Sequence, residues 1–370
     1  MFKIKKKDNS SSARLGELKT EHGNIETPFF MPVATKVTPK HVSVLDLKTI
    51  KAKAIICNAF VLYLNPGVEL IRKANGVHKF MNYDDVIFTD SGGFQMLSNA
   101  FLHKVNNEGV TFKSPFDGKK KLIKPEDIMK IELDLKADVA MTLDDVPHYS
   151  KDRRYIDISM KRTHLWAERC KREHDKLKDE TGIKQLLFGI TQGGVFPDLR
   201  KKSAKFINSL DFDGIALGGL CLGEGRDLMF QMVDVLVPNL DENKPRYLMG
   251  VGSPIDLLEA VARGIDIFDS RFPTMSARHL SLFTNNGVVR IGKAEYKHDF
   301  NSLDPECNCY VCKNFTRAYL HYLARVKEPV AMRYFSYHNL YFIQQFIEKI
   351  KDSIKKGQFE DLRYQFMKKK

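Results

Sequence analysis

The 370-residue chain has one tryptophan, six cysteines and no long apolar run. Its longest uncharged apolar stretch, Ala54 to Val68, is interrupted by Asn58, Asn65, Pro66 and Gly67 and falls short of the ~18 residues a bilayer span needs. A membrane helix is therefore not expected. The amino terminus, Met1 to Asp8, carries charge with no apolar stretch behind it and does not read as a secretory signal, so a cytoplasmic location is expected. The cysteines do not form a disulfide framework, because Cys307, Cys309 and Cys312 are too close for unstrained adjacent bridges. Cys57, Cys170 and Cys221 stand singly in apolar or helical pattern and read as buried structural thiols. At 43% hydrophobic and 28% charged residues, the composition excludes disordered, collagen-like and coiled-coil chains.

Fifty-nine Lys and Arg against 46 Asp and Glu leave a net charge of +13, which favours a polyanionic partner, nucleic acid first. Short β-rich runs alternate with longer helical segments. Eight such runs occur at Pro28–Val33, Ala52–Asn58, Asp85–Thr89, Asp138–Leu143, Leu186–Thr191, Gly214–Leu217, Arg246–Met249 and Ile265–Phe268. Most are apolar on both faces, as buried parallel strands are, and eight βα units predict a closed (β/α)8 barrel of the TIM type. Amphipathic helices are predicted at Tyr155–Lys178 and Met229–Val237. Two segments break the repeat: residues 98–123 read as an inserted hairpin, and 295–345 as a metal-stapled insertion. The catalytic domain is expected over 1–294, with a basic helix in 346–370 closing the barrel.

Active sites of parallel barrels form at the carboxyl ends of the strands. Here those ends carry Thr89-Asp-Ser-Gly-Gly-Phe-Gln95, Leu143-Asp-Asp145, Thr191-Gln-Gly-Gly194, Gly218-Gly-Leu220, Met249-Gly-Val-Gly252 and Phe268-Asp-Ser270. Each Asp singly would serve as a helix cap and each Gly pair as a turn. Together they bring carboxylates from three strands to one mouth, with glycines that admit close approach of backbone N–H groups. Asp144 and Gln192 supply complementary acceptors and donors for a planar amide-bearing heterocycle, and Phe94 and Met249 supply surfaces to sandwich it.

The ordered series Asp90-Ser-Gly-Gly-Phe-Gln95, Phe188-Gly-Ile-Thr-Gln-Gly-Gly194, Gly218-Gly-Leu-Cys-Leu-Gly-Glu224, Tyr247-Leu-Met-Gly-Val-Gly252, Phe268-Asp-Ser270 and Pro273-Thr274 resembles the bacterial-type tRNA-guanine transglycosylases, also called queuine tRNA-ribosyltransferases. The resemblance covers nearly the whole chain. It implies a pentosyltransferase that exchanges guanine at the tRNA wobble position for a 7-deazaguanine base without cutting the strand. By resemblance, Asp269 is the nucleophile at the ribose anomeric carbon and Asp90 the general acid/base. Asp144 would hold the amidine edge of the purine, and the Gln192 side chain and Gly219 N–H its carbonyl oxygen. Phe94 and Met249 would stack on the ring, Gly250 would let it lie close, and Ser91 and Leu220 would complete the pocket. Arg278 resembles a tRNA-contacting arginine.

Cys307, Cys309, Cys312 and, 26 residues later, His338 form a Cys3His set suited to one structural zinc per chain. His338 stands in Tyr337-His-Asn339, which resembles the family's ligand motif. A homodimer is expected from the same resemblance. Several positions depart from the common bacterial pattern: Asp145 for Glu, Val146 for Cys, Leu222 for a smaller aliphatic, Ser270 for Cys, Met275 for Arg and Leu280 for Gly. Two other classes stay open at this stage: a transglycosylase acting on another tRNA position or nucleic acid, and a non-catalytic tRNA-binding paralogue.

Overall fold

The computed structural model describes residues 2–97, 102–116 and 118–368. Eight parallel strands, Phe29–Pro32, Ala54–Asn58, Val86–Asp90, Val139–Met141, Leu186–Thr191, Gly214–Leu217, Arg246–Leu248 and Ile267–Ser270, follow one another around a single sheet. The eighth returns to the first, pairing Ile267 with Phe29 and Asp269 with Met31. Between first and second strands the seam is a bridge from Val33 to Ile56, with the Ala34 N–H on the Ile56 carbonyl at 2.8 Å. The result is the nearly closed α/β barrel that the eight apolar runs predict.

Inside the barrel, Phe29, Met31, Ile56, Phe88, Met141, Phe188, Ile190, Tyr247 and Ile267 form one buried cluster. Phe88 is its hub, meeting Phe29, Phe188 and Tyr247 edge-on with ring centroids 6.0, 5.6 and 6.2 Å away. A larger core lies between the strands and the surrounding helices. Because both faces of each strand are buried, the runs read as continuous apolar segments rather than alternating ones.

The helix expected at Tyr155–Lys178 spans Arg153–Thr181, started by Asp152, whose side chain accepts from the Tyr155 N–H, and stopped by Gly182 in the left-handed conformation. The inserted segment is not a two-stranded hairpin. It is a three-stranded antiparallel sheet, Leu102–Val105, Val110–Lys113 and Lys120–Ile123, because the lysine-rich third stretch pairs with the second through Val110–Ile123 to Lys113–Lys120. Residues 98–101 and 117 of that segment lie outside the described residues. The basic helix is longer than expected, a single run from Pro329 to Lys356, so a boundary at 345 falls inside it. A last helix, Phe359–Lys368, follows Gly357. Among the described residues no helix is long and apolar enough to cross a membrane.

A second three-stranded sheet, Phe2–Lys7, Arg14–Thr20 and Gly23–Thr27, lies across the amino-terminal end of the barrel and adds Phe2, Leu18 and Ile25 to the interior cluster. Two buried carboxylates at strand starts fasten it. Asp266 receives Arg14 Nε and Nη2 at 2.9 and 2.6 Å. Asp138 accepts from the His22 and Ile87 N–H groups, both at 2.9 Å, and its two oxygens lie 3.1 Å from His22 Nδ1 and His78 Nε2.

Burial by itself would raise the Asp138 pKa, but His78, the Ile87 N–H and the His22 N–H bring it down to about 2. A depressed carboxylate stabilises the fold above its unfolded pKa and stops doing so as pH falls through the folded value. Asp138→Asn is accordingly expected to lower the free energy of urea unfolding by about 2 kcal/mol at pH 7. The gap from the unsubstituted protein should close between about pH 4 and pH 2. A gap that stays constant over that range would contradict the assignment.

Candidate active site

The barrel directs all eight strand ends to one mouth. Asn58 ends the second strand in register with Asp90 at the end of the third. Its Oδ1 accepts from the Val61 N–H at 2.9 Å, capping the short helix Ala59–Leu64, so its Nδ2 is left to donate to Asp90 Oδ2 at 2.9 Å. Burial, more than any other influence, raises the Asp90 pKa to about 6; the negative Asp269 adds to the rise, while the Gly92 N–H and Asn58 oppose it. Asp269, near the end of the eighth strand, accepts on one oxygen from the Tyr247 hydroxyl at 2.6 Å and the Gly250 N–H at 2.8 Å. Burial raises its pKa too, and these two donors restrain the rise. The two carboxylates thus have different supports, Asp90 the Asn58 amide and the Gly92 N–H, Asp269 a phenol and the Gly250 N–H.

Asp144 and Gln192, both buried, follow the fourth and fifth strands and bond directly, Gln192 Nε2 to Asp144 Oδ2 at 2.7 Å. Burial and then the Asp90 charge lift the Asp144 pKa to about 8, against the Gln192 bond. A ligand edge with two N–H donors would favour its ionised form. Glycine is required on both sides of this pair. A Cβ at Gly93 would lie 2.6 Å from the Asp144 carbonyl oxygen, and one at Gly219, whose φ is +64°, would lie 2.2 Å from Gln192 Oε1. Phe94 is 53% exposed at the mouth, Met249 half-buried, Leu220 buried, and the buried Ser91 hydroxyl has no partner among the described residues. Gly250 takes a φ of +81°, which turns its N–H to Asp269. Arg278 is exposed at the end of helix Phe272–Arg278.

Several residues without an assigned role in the sequence reading prove to hold the site. Tyr247 sits inside a quoted motif, yet its bond to Asp269 arises only from the neighbouring seventh and eighth strands. Asn58, which the sequence shows only as a polar break in an apolar stretch, supports Asp90. Glu224 accepts from the Cys221 and Leu222 N–H groups at 2.5 and 2.7 Å, fixing the loop after the sixth strand. Cys221 is not buried, contrary to expectation. It is exposed with φ +61° and its Sγ lies 3.6 Å from the Gly250 carbonyl, because the loop turns there instead of continuing the apolar strand. Asp145, adjacent to Asp144, is engaged by Arg162 of the long helix. Val146 and Leu222 are partly exposed.

The four sequence-nominated metal ligands come together. Their ligand atoms lie within 4.8 Å of one another, and His338 Nδ1 is 3.4 Å from Cys309 Sγ, 3.4 Å from Cys312 Sγ and 3.9 Å from Cys307 Sγ. A tetrahedral shell of thiolates and imidazole has edges of about 3.5 to 4 Å, so the donor set fits a metal ion. His338 Nε2 lies 2.7 Å from the Phe283 carbonyl, which places a proton there and leaves Nδ1 as the ligand atom.

One mouth of a parallel barrel thus gathers Asp90, Asp269 and the bonded Asp144–Gln192 pair, and the family matches that follow make the chain a pentosyltransferase. The queuine tRNA-ribosyltransferase family profile matches residues 8–370. The chain is 46% identical over 368 residues to a queuine tRNA-ribosyltransferase of Halothermothrix orenii, covering all of this chain and 97% of that one. It is also 46% identical to one of Desulforamulus reducens (99% and 98% covered) and 47% identical to one of Clostridium kluyveri (97% and 96%). The chain belongs to the queuine tRNA-ribosyltransferase family.

Native mass spectrometry is expected to find one tightly held divalent ion per chain, absent from His338→Ala. The same ion count in that variant would exclude His338 as a ligand.

Proposed function

We propose that the chain exchanges a guanine at the tRNA wobble position for a 7-deazaguanine base by double displacement. The supporting observation is that Asp90 and Asp269, close enough for the charge of one to raise the pKa of the other, share one mouth with the Asp144–Gln192 pair. Asp269 attacks the ribose anomeric carbon as the bond to guanine N9 breaks, forming a ribosyl ester, and Asp90 supplies the proton that the departing base takes up. Asp90, now ionised, removes a proton from the incoming base. That base attacks the same carbon and releases Asp269, so two inversions retain configuration. Asp144 holds the amidine edge, while Gln192 Nε2 and the Gly219 N–H donate to the carbonyl oxygen, where charge grows as the purine leaves. Phe94 and Met249 stack on a base that has left the anticodon stack, with Ser91, Leu220 and Gly250 lining the rest of the pocket.

Val146 and Leu222 flank the position of the 7-substituent and set which deazaguanine enters. The basic surplus and exposed Arg278 meet tRNA phosphates, which position the substrate without reading its sequence. The ion held by Cys307, Cys309, Cys312 and His338 is zinc, bound in the 295–345 segment beside the barrel domain with no open coordination position. A homodimer and a cytoplasmic location complete the reading. Two carboxylates placed for displacement support catalysis over a tRNA-binding paralogue, since a binding module needs neither.

The decisive experiment supplies tRNAs loaded with radiolabelled guanine, together with the 7-aminomethyl base, the 7-cyano base and queuine in parallel. Release of label only from tRNAs with a wobble guanine, with a covalent adduct on a denaturing gel, is expected; release from none would overturn the proposal. Asp269→Asn should lose both exchange and adduct, and an adduct in that variant would remove Asp269 as nucleophile. Tyr247→Phe deletes a bond that lowers the Asp269 pKa, so the acid limb of kcat/KM should move to higher pH. An unmoved or downshifted limb would show that the phenol does not act on Asp269.

A further inference from the structure

Behind the base pocket lies a cation that the exchange mechanism does not use. Arg200, the fourth residue of helix Pro197–Asn208, is fully buried. Its Nε donates to the Gly194 carbonyl at 2.6 Å, Nη1 to Gly218 at 2.6 Å and Nη2 to Gly219 at 3.0 Å. Among the described residues no carboxylate lies within ion-pair distance of it. A buried guanidinium satisfied only by carbonyls is an expensive way to brace two loops, because ion desolvation costs several kcal/mol. Burial pulls its pKa down to about 9, which still leaves it charged at neutral pH.

The geometry gives that charge a direction. In a trans peptide the C=O of one residue and the N–H of the next point oppositely. Arg200 draws the Gly218 and Gly219 carbonyls toward itself, so the Gly219 and Leu220 N–H groups point the other way. Neither has a hydrogen-bond partner among the described residues, and Gly219 takes the left-handed conformation that makes successive N–H groups converge into an anion-binding concavity. Gln192 lies between, with its Oε1 2.2 Å and Arg200 Nη2 3.6 Å from the position a Gly219 Cβ would take.

We propose that Arg200 is a positioning residue for base exchange: its buried charge, acting through the Gly218–Gly219 and Gly219–Leu220 peptides, strengthens the donors that stabilise negative charge on the departing purine. This rests on the base-pocket reading above. A purely structural brace would need the three hydrogen bonds but not the charge.

The test compares Arg200→Met and Arg200→Lys with the unsubstituted enzyme by guanine exchange and by ultraviolet titration of bound 8-azaguanine, a more acidic purine. Arg200→Met is expected to lower kcat roughly tenfold to a hundredfold with KM for tRNA within about twofold, below the loss seen when an oxyanion donor is removed outright. It should also raise the pH at which bound 8-azaguanine ionises. Arg200→Lys, which keeps the charge, should recover much of both. Should Arg200→Met not fold, Arg200→Gln keeps amide donors without charge and gives the same comparison. The proposal is overturned if the neutral variant ionises the bound purine at the unsubstituted pH, or if Lys and the neutral variant lose kcat equally. Failure of the unsubstituted enzyme to exchange any base would instead strike the underlying reading.

Discussion

Three carboxylates share the mouth of one barrel, and burial there raises the pKa of each. Like charges in a poorly hydrated space cannot all ionise, so the scaffold must separate their fates. It does so with neutral donors. Asp269 has a phenol and a peptide N–H, Asp90 an amide and a peptide N–H, and Asp144 the Gln192 amide, and burial lifts the Asp144 pKa to about 8 against about 6 for Asp90. Each donor comes from a strand or loop next to its carboxylate, so the support that each receives follows from the strand order.

Much of this was legible because parallel strands buried on both faces leave unbroken apolar runs whose polar ends mark the mouth. Asp90, Asp144, Gln192 and Asp269 announce themselves as polar residues at or just past the ends of Val86–Asp90, Val139–Met141, Leu186–Thr191 and Ile267–Ser270. The amino-terminal sheet was not legible. Its first strand, Phe2–Lys7, is mostly lysine on the exposed face, and only Phe2 among its residues is buried. Tyr247, Asn58 and Arg200 were missed for another reason: a phenol, an amide or a guanidinium acquires its role from what lies across a strand pair or behind a loop, and no local spacing encodes that. The third strand of the insertion was hidden in the same way, since Lys120–Ile123 earns its strand only by pairing.

The metal cluster is coupled to the catalytic mouth through a single helix. Along Pro329–Lys356, His338 offers Nδ1 to the cysteines and holds the Phe283 carbonyl with Nε2. The next residue, Asn339, donates to the Pro273 and Ser281 carbonyls at 3.0 Å and accepts from the Phe283 N–H at 2.9 Å. Gln344 then donates to the Phe30 carbonyl of the first barrel strand at 3.0 Å. Phe30 pairs with Phe268, immediately before Asp269. A metal bound by His338 would therefore order the segment that follows Asp269 and the strand that closes the barrel beside it.

That segment also carries three of the departures from the common family pattern, Ser270, Met275 and Leu280, and the structure explains two of them. Ser270 donates to the Gly250 carbonyl and accepts from the Phe272 N–H, both at 3.0 Å, a two-way role that a thiol fills poorly. It ties the loop that supplies the Asp269 donor to the start of helix Phe272–Arg278. Leu280 stands where the resemblance leads to glycine and takes φ +58°, a left-handed conformation that costs a branched L-residue about 1 kcal/mol. Opposite it is Gly292, where a Cβ would lie 2.8 Å from Leu280 Cδ1, so the glycine leaves room for the leucine side chain to pack on the core. A leucine restricts the unfolded chain more than a glycine does, which offsets part of the strain. Both positions lie between Asp269 and the turn beyond Arg278, and together they fix the chain on either side of helix Phe272–Arg278.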